Sequence, residues 1–300
     1  MTDYPRFSVA VRRAAALAGP SAVVREVRVL AGGTHACTYL IRTAGPQQDF
    51  VLRELPPGDD AAGREARVLT ALDGLLGLAP RLLAWSADEA TSDGSWLLIS
   101  RLPGAADITP GEPAAFASQL GTALARIHAT PQAPLAGLPV VSGRPGGSPA
   151  ALSGPAASLV CARWESIASA PAVLTHWDFW SGNTVWEDGR LTGVVDWSGA
   201  ALGPRGFDLG WCRLDLYLLF DQRIADAFLA SYEAARSNVP TSELLLSDLW
   251  AAARSDRIVD SWDANYRDLG RADLTAAELR RRHAAWTRQA LARATDLAGF

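Results

Sequence analysis

The stretch from Leu174 to Trp197 constrains this chain more than any other part of the sequence. It reads LTHWDFWSGNTVWEDGRLTGVVDW and places His176, Asp178 and Asn183 in the pattern H-x-D-x-x-x-x-N. A polar turn and a strand-like apolar run follow, and Asp196 comes directly after the run. A carboxylate can accept a hydroxyl proton, and oxygen ligands can hold Mg²⁺ against phosphate groups. The pattern therefore predicts phosphoryl chemistry.

The spacing of these residues matches the catalytic loop of protein kinases, where Asn follows the catalytic Asp by five residues and a metal-binding Asp comes later. The stretch resembles the Brenner-type loop of the aminoglycoside phosphotransferase family, whose members share the bilobal protein-kinase-like fold. The resemblance implies an α+β chain with a small N-terminal lobe, built on an antiparallel five-stranded sheet, and a larger, mainly helical C-terminal lobe. We place the nucleotide-binding lobe at residues 1–101 and the catalytic and substrate-binding lobe at residues 102–300.

The resemblance also implies a role for each polar residue of the loop. Asp178 would be the base that accepts the proton of the acceptor hydroxyl, while Asn183 and Asp196 would bind Mg²⁺. His176 would pack and form hydrogen bonds beneath the loop instead of taking part in the chemistry. A later G-x-x-x-x-D segment is also similar to the family and assigns Asp208 the role of bracing the loop backbone.

Three strands with tight connections are predicted before residue 56, because apolar and polar residues alternate there between turn signals. The turn Gly32-Gly33 separates the first two strands, where kinase-like folds cover the nucleotide phosphates with backbone amides. An ordinary β-turn is the alternative interpretation of this pair. Further along, the resemblance implies that the backbone from Ser100 to Leu102 binds the adenine ring.

Arg53 lies near the end of the third predicted strand, where kinases carry a lysine that binds the α- and β-phosphates. This chain contains no lysine, so all 28 of its Lys and Arg residues are arginine. A guanidinium can bind phosphate oxygens with its planar fork, and the resemblance assigns this role to Arg53. Glu65, early in the next predicted helix, could pair with it as the corresponding kinase glutamate does. A surface arginine and a solvated helix face are the alternative interpretations.

Three carboxylates in the distal helical part are candidates for recognition of the acceptor. If one helix continues through Asp256, Asp260 and Asp263, their spacing puts them on one face that would suit a polycationic amino sugar. A solvated acidic face, interleaved with Arg257 and Arg267, is the alternative. Three aromatic side chains could line the substrate pocket or stack on a sugar ring: Trp180, Trp262 and Tyr266.

Composition argues against several other classes of protein. A net charge of −4 and a pI near 5.6 disfavour nucleic acid as a partner. Three scattered cysteines without a C-x-x-C pair favour a reducing compartment, and no apolar run is long enough to span a membrane. We therefore expect a cytoplasmic protein with no membrane partner. Residues 131–157, rich in Pro, Gly, Ser and Ala, are predicted to form a long, mobile insertion.

These observations together predict a small-molecule kinase that transfers the γ-phosphoryl of ATP or GTP, with Mg²⁺, to a hydroxyl group. An aminoglycoside-like acceptor is the first expectation, because that activity gives the family its name. A macrolide kinase or a choline- or homoserine-type metabolite kinase is the second, and an apolar pocket in place of the three carboxylates would favour it. A nucleotide-binding pseudokinase is the third, against which Asp178, Asn183 and Asp196 argue. The phosphorylated position, the choice between ATP and GTP and the oligomeric state stay open.

Overall fold

The computed structural model describes residues 8–30, 36–55, 61–87, 94–135, 137–141 and 147–296. The chain divides into two compact units, Met1–Pro103 and Gly104–Phe300. The first contains a five-stranded sheet, and the second contains most of the helices. Among the described residues, no helix combines the length and the hydropathy that crossing a membrane requires.

In its described residues, the N-terminal unit has two α-helices and five strands: α1 (Ser8–Ala18), β1 (Val23–Val29), β2 (Cys37–Ala44), β3 (Asp49–Glu54), α2 (Ala61–Leu72), β4 (Leu82–Ser86) and β5 (Trp96–Ser100). The sheet has the order β1-β2-β3-β5-β4, and every neighbouring pair is antiparallel. Alternation along the strands points one set of apolar side chains to a common core, in which Ile41, Phe50 and Leu52 are buried. Ala10 and Ala14, four residues apart on α1, complete this core. The predicted five-stranded antiparallel sheet is therefore confirmed.

The position of Arg53 follows from strand alternation. Leu52 and Arg53 are neighbours on β3, so their side chains point to opposite faces of the sheet. Leu52 belongs to the core that α1 covers, whereas Arg53 contacts Glu65 of α2. The helix α2 therefore packs on the other face, where Ala62 and Leu69 are buried.

The C-terminal unit consists mainly of helices, with two small antiparallel sheets. Its elements are α3 (Pro113–His128), α4 (Ala157–Ala162), α5 (Trp164–Ala168), β6 (Ala172–Thr175), β7 (Thr184–Glu187), β8 (Arg190–Val194), β9 (Ala201–Pro204), α6 (Gly206–Leu219), α7 (Gln222–Ala235), α8 (Thr241–Ser255), α9 (Asp263–Asp268) and α10 (Ala276–Asp296). Strand β6 pairs with β9, and β7 pairs with β8. The helices α6 and α8 approach closely because Gly210 has no side chain: a Cβ there would lie 2.2 Å from the carbonyl oxygen of Ser247.

The helix that precedes the three distal carboxylates ends before it reaches them. The sequence puts these carboxylates on one face only if a single helix continues through them, but α8 ends at Ser255, and a 3-10 turn (Val259–Trp262) and α9 follow. The hydroxyl of Ser255 donates to the carbonyl of Ala251, and such bonds slightly destabilise and often bend helices. No single helix therefore carries the three distal carboxylates.

The segment of residues 131–157 is not a loose insertion in the part that the structure describes. Leu135 and Val141 are buried, and Pro139 accepts a hydrogen bond from the backbone of Leu202 at 2.9 Å. The backbone N–H of Ser153 donates to the carbonyl near the end of α8, on residue 253, at 3.0 Å. Small residues in this segment allow close packing, so the expectation of a mobile insertion is wrong for these residues.

Candidate active site

The carboxylate of Asp178 is half-buried and oriented by two side chains. Its Oδ1 accepts a hydrogen bond from the indole Nε1 of Trp211 at 3.0 Å, and its Oδ2 accepts one from Nδ2 of Asn183 at 3.1 Å. The same amide also donates to the backbone carbonyl of Asp178 at 2.9 Å. The spacing of five residues thus closes a short loop on itself and leaves the amide oxygen of Asn183 as an available acceptor.

Asp196 lies two residues after the end of the β7–β8 hairpin and has a left-handed backbone conformation, with φ of 60°. The N–H of Val195 donates to the carbonyl of Asn183 at 2.8 Å, which brings Asp196 next to the loop. Its carboxylate accepts a hydrogen bond from Ser198 Oγ at 2.8 Å. The structure therefore brings together the three residues that the sequence assigned to catalysis and metal binding.

These donors fit Mg²⁺ in kind. Asn183 and Asp196 offer amide and carboxylate oxygens, and Mg²⁺ sites in such enzymes use one or two protein ligands plus phosphate oxygens and water. The described residues contain no group of three His, Cys, Asp or Glu side chains arranged for a metal.

Asp208, near the start of α6, is fully buried beneath the loop. Its Oδ2 accepts from the backbone N–H of His176 at 2.7 Å, and its Oδ1 accepts from that of Trp177 at 2.8 Å. The ring of His128 contacts the same carboxylate at 3.2 Å, and burial lowers the pKa of this histidine. The geometry is the one that a brace of the loop backbone requires.

His176 is buried below the same loop and has no exposed surface. Its Nε2 bonds to the carbonyl of Val195 at 2.9 Å, and its ring packs edge-on against Trp197 at 4.6 Å. These contacts join the loop to the hairpin end that carries Asp196.

Asp215 is a second buried carboxylate beneath the loop, and it was missed in the sequence. It accepts hydrogen bonds from the backbone N–H of Ser181 at 2.9 Å, from Ser181 Oγ at 2.5 Å and from Tyr266 Oη at 2.7 Å. Burial raises its pKa, although these donors oppose the shift. A sequence signal was available, because Asp215 lies two turns after Asp208 on the same face of α6.

We predict that Asp215→Ala lowers the free energy of unfolding by about 2–4 kcal/mol, because it leaves buried donors of Ser181 and Tyr266 without an acceptor. Urea unfolding of the variant and of the parent protein measures the difference. Asp268→Ala, at an exposed position of α9, is the control and should change stability by less than about 0.5 kcal/mol. Equal unfolding midpoints for Asp215→Ala and the parent would contradict the role of Asp215.

In the N-terminal unit, Arg53 and Glu65 form a buried ion pair. Nη1 of Arg53 lies 2.5 Å from Oε1 of Glu65, and the two side chains are 8% and 1% exposed. The predicted pairing is present, and neither residue is on a solvated face.

The contacts of the other residues expected to bind the nucleotide do not establish their roles. Gly32 and Gly33 lie outside the described residues. The N–H of Ser100 donates to the carbonyl of Arg81 at 2.9 Å within the sheet, so it is not available to an adenine ring. Leu102 lies two residues beyond the end of β5, and its role stays a prediction.

The distal carboxylates do not form one acidic face. Arg280 of α10 binds Asp260 at 2.8 Å and approaches Asp256 to 3.5 Å, whereas Arg267 lies 3.7 Å from Asp263. The first two therefore pair with a residue of a helix that comes later in the chain, which local spacing could not show.

The aromatic residues assigned to the substrate pocket lie close to the loop. Trp262 packs edge-on against Trp211, with ring centres 5.2 Å apart, and Trp180 packs against Tyr266 at 5.8 Å. The ring of Trp180 also covers Gly182, where a Cβ would lie 2.2 Å from it. Trp211, the indole that binds Asp178, was missed in the sequence because nothing marks it among 11 tryptophans.

A family model for the phosphotransferase enzyme family (APH) matches residues 26–245 of the chain. A comparison with curated protein sequences found no match. Solved structures give many similarities in fold. Macrolide 2'-phosphotransferase MphH from Brachybacterium faecium has 20% sequence identity and a TM-score of 0.60, covering 94% of this chain and 98% of that chain.

Two further structures belong to enzymes that differ in their named substrates. Choline kinase LicA from Streptococcus pneumoniae has 16% identity and a TM-score of 0.63, with 94% of this chain and 98% of that chain covered. Aminoglycoside phosphotransferase APH(4)-Ia has 17% identity and a TM-score of 0.59, with 89% and 94% covered. LicA has also been solved in complex with AMP. At these identities the similarity establishes the fold alone, and it confirms the predicted kinase-like fold.

Proposed function

Because the chain belongs to the phosphotransferase enzyme family, we propose that it transfers the γ-phosphoryl of ATP or GTP to a hydroxyl of a small molecule, with Mg²⁺. The observation that carries this proposal is the joint placement of Asp178, Asn183 and Asp196. The side-chain amide of Asn183 donates to the Asp178 carboxylate. The backbone carbonyl of Asn183 accepts from the N–H of Val195, the residue before Asp196.

Asp178 has the geometry of a base held in one orientation. With one oxygen bound by Trp211 and the other by Asn183, its carboxylate can accept the proton of a hydroxyl as the hydroxyl oxygen attacks the γ-phosphorus. The bond from that phosphorus to the β-phosphate oxygen breaks, and the nucleoside diphosphate leaves. Mg²⁺, when bound, would neutralise charge on the phosphates, and Asn183 and Asp196 would hold it.

In the N-terminal unit, we assign phosphate binding to Arg53. The ion pair with Glu65 fixes the guanidinium, and arginine presents several donors in a planar fork that suits phosphate oxygens. Gly32 and Gly33 would supply backbone amides to the phosphates, and the backbone after Ser100 would contact the base. These three assignments rest on the family resemblance.

The acceptor has two candidates. An aminoglycoside-like acceptor agrees with the APH(4)-Ia similarity, and Asp256, Asp260 and Asp263 would be the residues that bind its amines. Two arginines already pair with these three carboxylates, and Arg280 lowers the pKa of Asp260 by a direct hydrogen bond. This pairing favours the second candidate, a macrolide or a small hydroxylated metabolite.

The test is a transfer assay with a panel of aminoglycosides, macrolides, choline and homoserine, offered with Mg²⁺ and either ATP or GTP. We expect one class to gain a single phosphoryl group, detected by mass spectrometry. Chelation by EDTA should abolish the gain, and added Mg²⁺ should restore it. Nucleotide binding without transfer to any acceptor, and without nucleotide hydrolysis, would instead support a pseudokinase.

A further inference from the structure

Arg254, in the last turn of α8, lies in a cage of three indole rings. Its guanidinium carbon is 4.2 Å from the ring centre of Trp211, 4.7 Å from that of Trp177 and 5.1 Å from that of Trp250. Each distance is well inside the range in which a cation is attracted to the face of an aromatic ring. All three tryptophans are buried.

The cage holds a cation without a direct counter-ion. Among the residues that the structure describes, no carboxylate lies within 4.0 Å of the Arg254 guanidinium nitrogens. Burial lowers the pKa of Arg254 to about 10, and the charges of Asp178 and Asp208 oppose that shift. The side chain is therefore charged at neutral pH.

Burying a charged side chain in such a cage costs free energy, because the cation loses its hydration. An apolar side chain of similar length would pack against the indoles without the loss of hydration that a buried cation suffers. A chain that needed only packing at this position would be at least as stable with methionine. The presence of arginine therefore indicates that its charge or its hydrogen bonds are used.

Two contacts lead from Arg254 to the catalytic loop. Its Nη1 donates to the carbonyl oxygen of Trp177 at 3.2 Å, and this carbonyl belongs to the peptide bond that precedes Asp178. Trp177 has φ of 72°, a left-handed conformation that is unfavourable for a bulky residue and requires support from its surroundings. The second contact is the ring of Trp211, whose Nε1 donates to Asp178 Oδ1.

We propose that Arg254 is a positioning residue of the phosphoryl transfer, which fixes the carboxylate of Asp178 through the ring of Trp211 and the carbonyl of Trp177. The inference rests on the proposed function, because it concerns the orientation of the base in that reaction. Arg254 contributes no bond to the reacting atoms. It holds Trp211, which binds one oxygen of the carboxylate, and the peptide bond that precedes Asp178.

The test compares Arg254→Met, which keeps an unbranched side chain and removes the charge, with Arg254→Lys, which keeps a cation and a donor. The substrates are ATP or GTP with Mg²⁺, and the acceptor is the one found in the panel or, failing that, water, which yields the nucleoside diphosphate and phosphate. We expect Arg254→Met to lower kcat roughly 10- to 100-fold with KM for the nucleotide unchanged, because a displaced base slows the reaction without affecting nucleotide binding. Arg254→Lys should recover a large part of that loss.

A measurement of unfolding distinguishes a positioning role of Arg254 from a purely structural one. Arg254→Met should unfold at the same denaturant concentration as the parent protein or at a higher one, since an apolar residue replaces a buried cation. Trp211→Phe, which keeps a ring and removes the Nε1–H donor, should also lower kcat, and the double variant should lose less than the product of the two effects. Arg223→Met, at an exposed position of α7, is the matched control and should behave as the parent.

Three results would overturn the inference. One is a kcat for Arg254→Met within about twofold of the parent, far less than a displaced base would cost. Another is an equal loss in Arg254→Met and Arg254→Lys. The last is a loss of kcat that comes with weaker nucleotide binding and lower stability. If the parent protein and Asp178→Asn hydrolyse the nucleotide and transfer its phosphoryl group at the same background rate, the proposed function itself is wrong. This result differs from the three above, so failure of the proposed function can be distinguished from failure of the inference about Arg254.

Discussion

Asp178→Asn is expected to lower kcat by about two orders of magnitude or more, with little change in nucleotide affinity. The carboxamide keeps the size of the side chain and can still accept from Trp211, but it cannot take up the proton of the acceptor hydroxyl. Steady-state kinetics with the acceptor identified in the panel measures the change in kcat. Calorimetric titration with the Mg²⁺ complex of the nucleotide measures the affinity.

The matched control for this substitution is Asp188→Asn. Asp188 is exposed in the turn of the neighbouring hairpin and has φ of 50°, a conformation that asparagine adopts readily. The Asp188→Asn variant should retain the activity of the parent protein. A loss of nucleotide binding in Asp178→Asn, with the rate of transfer maintained at saturation, would show that Asp178 is not the base.

The second large effect is expected for the buried ion pair of the N-terminal unit. Glu65→Ala should lower the stability of that unit by about 3–5 kcal/mol, because the side chain removed is the carboxylate that neutralises the buried guanidinium of Arg53. Urea unfolding, with hydrogen exchange followed in β3 and α2, measures the loss where it arises. Glu26→Ala is the control, since Glu26 pairs with arginines in exposed positions and should cost less than about 1 kcal/mol.

A double substitution separates the structural role of the pair from its role in binding. Arg53→Met with Glu65→Leu removes both charges, so most of the stability should return. Nucleotide affinity should nevertheless stay roughly 10- to 100-fold below that of the parent, because hydrogen bonds from a cation to phosphate are lost. Full nucleotide affinity in this double variant would contradict the assignment of Arg53 to phosphate binding.

The catalytic loop is held together largely by interactions between residues that are close in the sequence. Asp178 and Asn183 are five residues apart, and a single amide joins them, so the spacing alone predicts their contact. The same holds for most strands and helices, whose periodic apolar residues predict which face is buried. The fold class and the cluster of Asp178, Asn183 and Asp196 could therefore be predicted from the sequence, because the interactions involved lie within short stretches of chain.

The partners of charged and aromatic residues could not be predicted in this way. The sequence suggested that Asp256 and Asp260 face a cationic substrate, whereas Arg280 of a distant helix binds both. Trp250 lies one turn before Arg254 on α8, but nothing in the sequence indicates that Trp177 and Trp211 also surround this arginine.

The prediction of phosphoryl chemistry needed only the amino-acid sequence, because the candidate base and metal ligands occupy one contiguous stretch. Asp208 could be assigned a place beneath this stretch from the G-x-x-x-x-D segment, but Asp215 on α6 and Arg254 on α8 became apparent only in the folded chain. A hydrogen bond or a cation–π contact between distant segments depends on how helices pack. Packing is set by the shape and burial of many side chains together, and no local spacing encodes it.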